Sequence, residues 1–312
     1  MLTESEGIIH GAHTMWEDFN REAIELFQKG LYPLAEEKAK LALAEAEQTF
    51  GPGDPRVARC LNNLAEIHRA QGRYDLAEPL WARALEMREK ALGSDHPDVA
   101  TSLNNLAGAC FEQGRFDEAE RLFTRAKKIL EKALGPGHAD VATALNNLGA
   151  VSRALGKFPV AKFYYEQALQ ILEKALDPND IRVEDALNNL AGLYASQGRY
   201  SDAEPLYRKS LKLAEQHFRP SHPHVASSLN NLGESLAAMG KFSDAEPLLL
   251  RGQDIIQEAF GADHPLTAEN LDNLGDFYEA WGRTDEAKIH KDRAGSIRSG
   301  ACPGCGSEAK GT

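Results

Sequence analysis

The tetrapeptide Leu-Asn-Asn-Leu stands at 61–64, 103–106, 145–148, 187–190 and 229–232, and Leu-Asp-Asn-Leu at 271–274, so each copy begins 42 residues after the one before. A fixed period of this length marks a repeat array in which each unit packs only on its neighbours. The same step spaces glycines at Gly30, Gly72, Gly114, Gly156, Gly198, Gly240 and Gly282, and alanines at Ala35, Ala77, Ala119, Ala161, Ala203, Ala245 and Ala287, which carries the array upstream to about Phe19. The chain therefore divides into an N-terminal segment 1–18, seven repeats over 19–297 starting near 19, 61, 103, 145, 187, 229 and 271, and a flexible C-terminal tail 298–312 with Cys-Pro-Gly-Cys.

One unit predicts the fold of all. Between Pro97 and about Leu134, residues Leu103, Leu106, Ala107 and Cys110 recur at i, i+3, i+4 and i+7, the apolar stripe of an amphipathic helix, here helix A. Gln113-Gly114-Arg115 breaks it, and Ala119, Leu122, Phe123, Ala126 and Ile129 form the stripe of helix B. The repeated alanine lies where helix B faces helix A, so that the two backbones can approach closely. Helix B should end on a left-handed glycine at Gly51, Gly93, Gly135 and Gly261, while Asp177 and Arg219 take that place in two units, whose turns should close differently. Proline after His96, His222, His264 and Asp54 suits the first turn of the next helix. No sustained period-2 alternation occurs. The expected fold is all-α, with about fourteen helices.

These residues carry a resemblance. Leu103-x-x-Leu106-Ala107 followed by Ala119-x-x-x-Phe123 resembles the tetratricopeptide pattern. HEAT and armadillo units share the period range but lack the glycine turn with its two fixed alanines. LNNLA at 61–65, QGRYDLAEPL at 71–80, RALEMREKALG at 83–93 and DHPDVA at 95–100 resemble the repeats of the kinesin light chain family. The resemblance implies a right-handed α-solenoid whose helix A faces line a concave, peptide-binding groove, with acidic cargo motifs as the ligand type. That family also carries an N-terminal heptad coiled coil for its motor partner. Eighteen residues before the first repeat are too few for it, so a motor subunit is not expected.

Charge and motif content exclude several classes. With 35 basic and 47 acidic residues the net charge is −12, which repels nucleic acid and anionic membrane surfaces. Residues 1–18 hold Glu4, Glu6, Glu17 and Asp18 and no signal-like apolar run, and no stretch approaches a membrane span, so the cytoplasm is the expected compartment. Cys60, Cys110, Cys302 and Cys305 form no disulfide framework. Phosphate-loop, HExxH and GxSxG motifs are absent, the carboxylates repeat with the array, and neither an enzyme nor a cofactor is expected.

The candidate site is a double row of amides. At 100° per residue the side of helix A opposite its packing stripe carries Asn62, Asn104, Asn146, Asn188, Asn230 and Asp272, and beside them Asn63, Asn105, Asn147, Asn189, Asn231 and Asn273. Asparagine inside a helix is less favourable than alanine by up to about 0.7 kcal/mol, so its repetition implies a use. A primary amide offers two donors and two acceptors, the complement of extended peptide backbone. The second row resembles the ladder with which tetratricopeptide proteins hold ligand main chain, and small residues at Gly108, Ala150 and Gly192 leave room for apolar side chains. Duplication from one ancestor, or bonding of neighbouring loops, would also preserve asparagine. Arg59, Arg69 and Arg153 occupy this face in early units, with Glu66 among them, whereas Glu234, Glu269, Asp272, Asp276 and Glu279 occupy it later. A partner with an acidic segment, bound in one direction, follows.

The expected role is thus a protein-interaction module or adaptor binding an extended peptide or partner protein. The alternatives are a self-assembling scaffold, and a metal-linked regulator acting through Cys302 and Cys305. Those two thiols supply half of a zinc site, with His13 and His290 as further donors and a dimer as another way to complete it. His96, His138, His222 and His264 recur at one loop position, too far apart to share a metal, and read as capping or loop-packing residues. Thr284 and Lys291 replace aromatics in the last helix B, as a terminal cap requires, and that helix should end near Gly295.

Overall fold

The computed structural model describes residues 15–177 and 179–299, and these form fourteen helices with no strand among them. They fall into two compact units, divided after Leu155. The first contains α1 (Met15–Gln28), α2 (Tyr32–Phe50), α3 (Pro55–Ala70), α4 (Tyr74–Leu92), α5 (Pro97–Glu112), α6 (Phe116–Leu134) and α7 (Ala139–Ala154). The second contains α8 (Phe158–Ala175), α9 (Ile181–Ser196), α10 (Tyr200–His217), α11 (Pro223–Ala238), α12 (Phe242–Phe260), α13 (Pro265–Ala280) and α14 (Thr284–Ser299). Odd-numbered helices are the A helices and even-numbered ones the B helices, and within each unit a helix packs on the helices before and after it. The Leu-Asn-Asn-Leu copies lie in mid-helix A. The final helix runs four residues past the expected end at Gly295, to Ser299.

Short-range chemistry sets the boundaries. Each A helix ends on a glycine with φ between 70° and 82°. At Gly72 the turn closes through Gly72 N–H to the Arg69 carbonyl and Arg73 N–H to the His68 carbonyl, both 2.9 Å, the double bond pattern of a left-handed C-terminal cap. The B helices end otherwise than expected. Gly51, Gly93, Gly135 and Gly261 have positive φ but ψ of 154–159°, an extended mirror-image backbone reserved for glycine rather than the left-handed helical one. The chain makes one last N–H bond to the carbonyl four residues back and then leaves in extended form towards the next cap. Where glycine is missing, α8 and α10 stop a residue earlier on Leu176 and Phe218 with ordinary negative φ.

The recurrent loop histidines are N-caps. Nδ1 of His96, His138, His222 and His264 accepts the backbone N–H two residues on, each at 3.2 Å. Asp54 and Asp180 do the same in their units, and the guanidinium of Arg56 or Arg182 holds each carboxyl well below its usual range, at about 2.

Packing follows the alanine spacing. All seven repeated alanines on the B helices are buried. In the first unit Trp16, Ala42, Val57, Leu61 and Ala84 join four successive helices in one cluster. In the second, Tyr207, Leu232, Leu249, Leu274 and Tyr278 do the same across α10 to α13. The repeated charges bridge neighbouring B helices. Glu36–Arg73, Glu78–Arg115, Glu204–Lys241 and Glu246–Arg283 pair 37 residues apart at 2.6–2.9 Å. A second series, Glu47–Arg83, Glu89–Arg125, Glu173–Lys209 and Glu215–Arg251, pairs 36 residues apart. Each is partly exposed and contributes at most about 1 kcal/mol, but together they assign most repeated carboxylates to holding adjacent repeats in register.

His68 is a local exception to apolar packing. It is 4 % exposed with an unpartnered Nδ1, at a position where two other repeats place Leu26 and Leu236. Burial holds its imidazole below the ordinary value, against the opposing pull of Glu36. A histidine whose folded pKa is depressed stabilises the fold above its unfolded pKa, near 6.5, and loses that contribution as pH falls through the folded value. His68→Leu should therefore gain in melting temperature over wild type as the buffer is taken from about pH 7.5 to about pH 5.5. A constant gap between the two melting curves across that range would contradict the assignment.

Candidate functional site

The amide rows occupy two different environments on the A helices. First-row amides sit partly buried against their own B helix. A Cβ on Gly252 of α12 would meet Asn230 Oδ1 at 2.3 Å, which is why the smallest residue stands there. Corresponding positions hold Ala84, Ala126, Ala168, Ser210 and Ala294. Second-row amides reach the preceding repeat. Asn63 Nδ2 donates to Asn20 Oδ1 at 2.7 Å, and Asn231 Nδ2 to Asn188 Oδ1 at 2.9 Å, each 43 residues back. Asn20 is thus a first-row member that the Leu-Asn-Asn-Leu signature did not reveal, although it lies 42 residues before Asn62. Some asparagine is accordingly used to tie repeats together.

The ties are not everywhere made. Asn62, Asn104 and Asn146 each bury an Oδ1 that has no hydrogen-bond partner. All three belong to the first unit. An unpaired buried acceptor costs about 1–3 kcal/mol relative to a satisfied one.

Hollows line the same faces. In the first unit one of about 270 Å³ is walled by Arg69, Trp81, Asn104, Asn105, Gly108 and Glu112. A Cβ on Gly108 would touch nothing, so the glycine leaves open space as the sequence suggested. Nearer the amino end, Ala23, Ile24, Phe27, Asn63 and Ile67 wall a more apolar hollow of about 310 Å³. In the second unit a hollow of about 510 Å³ is bordered by Asn230, Asn231, Glu234, Glu269, Asn270 and Asn273, and another of about 310 Å³ by Glu234, Leu249, Asn273, Asp276 and Phe277.

Charge on these faces differs from the sequence reading in a specific way. Arg69 is not free: its Nη2 bonds Glu66 at 2.5 Å and its Nε reaches both oxygens of that carboxylate. Arg59 stacks over Trp16 at 4.8 Å. Arg153 is exposed and has no ionic partner among the described residues. The late carboxylates have no basic residue among them on the A helices, but α14 supplies two. Lys291 bonds Asp276 at 2.8 Å and Glu279 at 2.6 Å, its stem lying across Gly275, and Arg298 pairs with Asp272. Helical spacing within α13 could not show cations arriving from the next helix. Glu234 and Glu269 remain unpaired among the described residues, and burial pushes the Glu234 carboxyl above its usual range.

A second polar cluster escaped the sequence reading. Glu184 on α9 is 1 % exposed and accepts from Ser210 and Ser228, while facing His224. Burial, and then the Glu184 charge, push the adjacent Asp185 carboxyl up to about 6, with His224 pulling it down. The signal was present in the repeat register: corresponding positions to Glu184 read Trp16, Ala58, Ala100, Ala142, Ala226 and Ala268. Cys302, Cys305 and His13 lie outside the described residues. His290 stacks on Tyr278 at 5.3 Å.

The tetratricopeptide repeat family model matches the chain at 23–90, 61–132, 98–174, 182–255 and 224–298. No curated protein matches. Among solved structures the chain is similar to a Podospora anserina protein described as a kinesin light chain with nearly identical TPR-like repeats, at 24 % identity and a TM-score of 0.55 over 66 % of this chain and 97 % of that one. It is also similar to the apo form of RapI, at 15 % identity and a TM-score of 0.66 over 91 % of this chain and 97 % of that one. A Rap protein complexed with competence and sporulation factor matches at 18 % identity and a TM-score of 0.61, over 92 % of this chain and 75 % of that one. No described helix is long and apolar enough to cross a membrane.

Proposed function

The chain belongs to the tetratricopeptide repeat family, and from that premise we propose that it is a non-enzymatic protein-interaction module that holds an extended segment of a partner on its helix A faces. The observation that carries this reading is the hollow of about 270 Å³ at Gly108, where the missing Cβ leaves open space and Asn105, which makes no hydrogen bond to another described residue, lines the wall. There the Asn105 side-chain oxygen can accept a peptide N–H while its NH2 donates to a peptide carbonyl. A ligand-bearing relative in fold, the Rap protein with competence and sporulation factor, supports the same use.

Charge refines the partner separately on each unit. On the first, Arg153 is the cation open to an acidic side chain, since engaging Arg69 means displacing Glu66. On the second, Glu234 and Glu269 border one hollow unpaired and call for a lysine or arginine. Peptide-display selection on the full chain tests the second of these. Wild type should enrich segments with a basic residue, and Glu234→Lys with Glu269→Lys should lose those segments, with affinity for any one of them falling about tenfold at low salt. Unchanged charge preference in the doubly reversed variant would contradict the reading.

A further inference from the structure

We propose that Glu184, Asp185 and His224 form a binding site for one divalent transition cation of the zinc class, set between α9 and α11. Nothing in the peptide-binding reading calls for these residues. One donor atom from each lies within 4.8 Å of the other two, a spread that a single ion can bridge. The donor set, an imidazole and two carboxylates, suits zinc, and leaves a position for water.

Three features set this cluster apart from an ordinary surface group of acids. First, Glu184 is almost wholly buried, at a position where five other repeats place alanine, so the carboxylate is an addition to a fold that does without it. Second, its two oxygens have separate tasks. Oε1 is held by Ser210 Oγ at 2.5 Å and approached by Ser228 Oγ at 3.4 Å, which fixes the carboxylate's orientation and leaves Oε2 facing His224 Nε2 at 2.8 Å. Hydroxyls that orient a ligand from behind are a regular part of metal sites. Third, the supporting residues depart from the repeat at the same place: Ser210 stands where Ala84, Ala126 and Ala168 stand, and His224 where Arg56, Asp98, Asp140 and Arg182 stand. Neighbouring His222 stacks on Phe218 with ring centroids 4.4 Å apart, and its Nδ1 is occupied as an N-cap, so it is not a ligand.

The buried pair needs little adjustment, and the third donor, on Asp185, lies within 4.8 Å of both. With bonds of about 2.0–2.1 Å, two ligands of a tetrahedral zinc lie about 3.3 Å apart, so Oε2 and Nε2 need separate by only about half an ångström. Two carboxylates with a single imidazole otherwise leave a net negative charge in a partly buried place, which a bound dication removes.

The test uses the full chain with Cys302→Ser and Cys305→Ser, so that tail thiols cannot supply the signal. Calorimetric titration with Zn2+ should show one ion bound per chain and a raised melting temperature. Glu184→Ala, which installs the residue of the other repeats, should fold and lose at least about tenfold in affinity. Co2+ in place of Zn2+ should give weak ligand-field bands without a thiolate charge-transfer band. A chain without the tail thiols that takes up no zinc, or a Glu184→Ala chain that binds as well as its parent, overturns the proposal. So does a melting temperature indifferent to zinc and chelator, which would leave Glu184 and His224 as a simple ion pair.

Discussion

Trp81→Ala should lower the melting temperature by on the order of 10 °C. The indole is fully buried in α4 among Ala65, Ala77 and Ala109, with Leu80 and Leu106 partly buried around it. Those alanines are small because the ring fills the space between them, so its removal leaves a cavity that they cannot reach across. Truncations of this kind cost about 3–5 kcal/mol, and for a chain of this size each kcal/mol is worth roughly 2–4 °C. Corresponding positions hold Phe123, Tyr165, Tyr207 and Leu249, with Ala39 and Lys291 in the first and last repeats, so the large residue belongs to the interior repeats. Because a repeat rests mainly on its neighbours, the loss should fall most heavily on the helices around α4 and appear as early hydrogen exchange there. A fall of only a degree or two would mean that this position is not what joins successive repeats.

What the sequence made legible were features dictated by short range. Helix pairs, buried alanines, the Gly72-type turns and the histidine caps all follow from residues within one or two turns of each other, and each is found where the spacing put it. The cap at Gly135 was placed correctly but its backbone was not, because a left-handed and a mirror-extended glycine look identical in sequence. Features that depend on a neighbouring repeat were hidden. Nothing in α13 announces that Lys291 and Arg298 cross over to its carboxylates, and nothing in Leu-Asn-Asn-Leu says that its second amide donates to the repeat before. Glu184 is different in kind: comparing the repeats column by column exposes it at once against its alanine counterparts.

The amides themselves give the second large effect, and the structure divides them into two groups. Asn63 and Asn231 bond the preceding repeat, so Asn231→Ala should cost about 1 kcal/mol of stability through the lost bond to Asn188. Asn105 and Asn147 make no hydrogen bond to another described residue, and they stand one repeat on from the unpaired oxygens of Asn62 and Asn104. Alanine is the better helix former by up to about 0.7 kcal/mol at each. Asn105→Ala with Asn147→Ala should therefore leave melting unchanged or slightly raised, and any harm it does must appear in binding.

Calorimetric titration of one display-selected segment into wild type and into the Asn105→Ala, Asn147→Ala chain, with both melting curves recorded beside it, separates the two uses of asparagine in a single comparison. Main-chain recognition by the second row predicts at least about a tenfold loss of affinity with no loss of thermal stability. Equal affinity in the two chains, or weakened binding accompanied by a large fall in melting temperature, would contradict the account and leave the amides as internal ties between repeats.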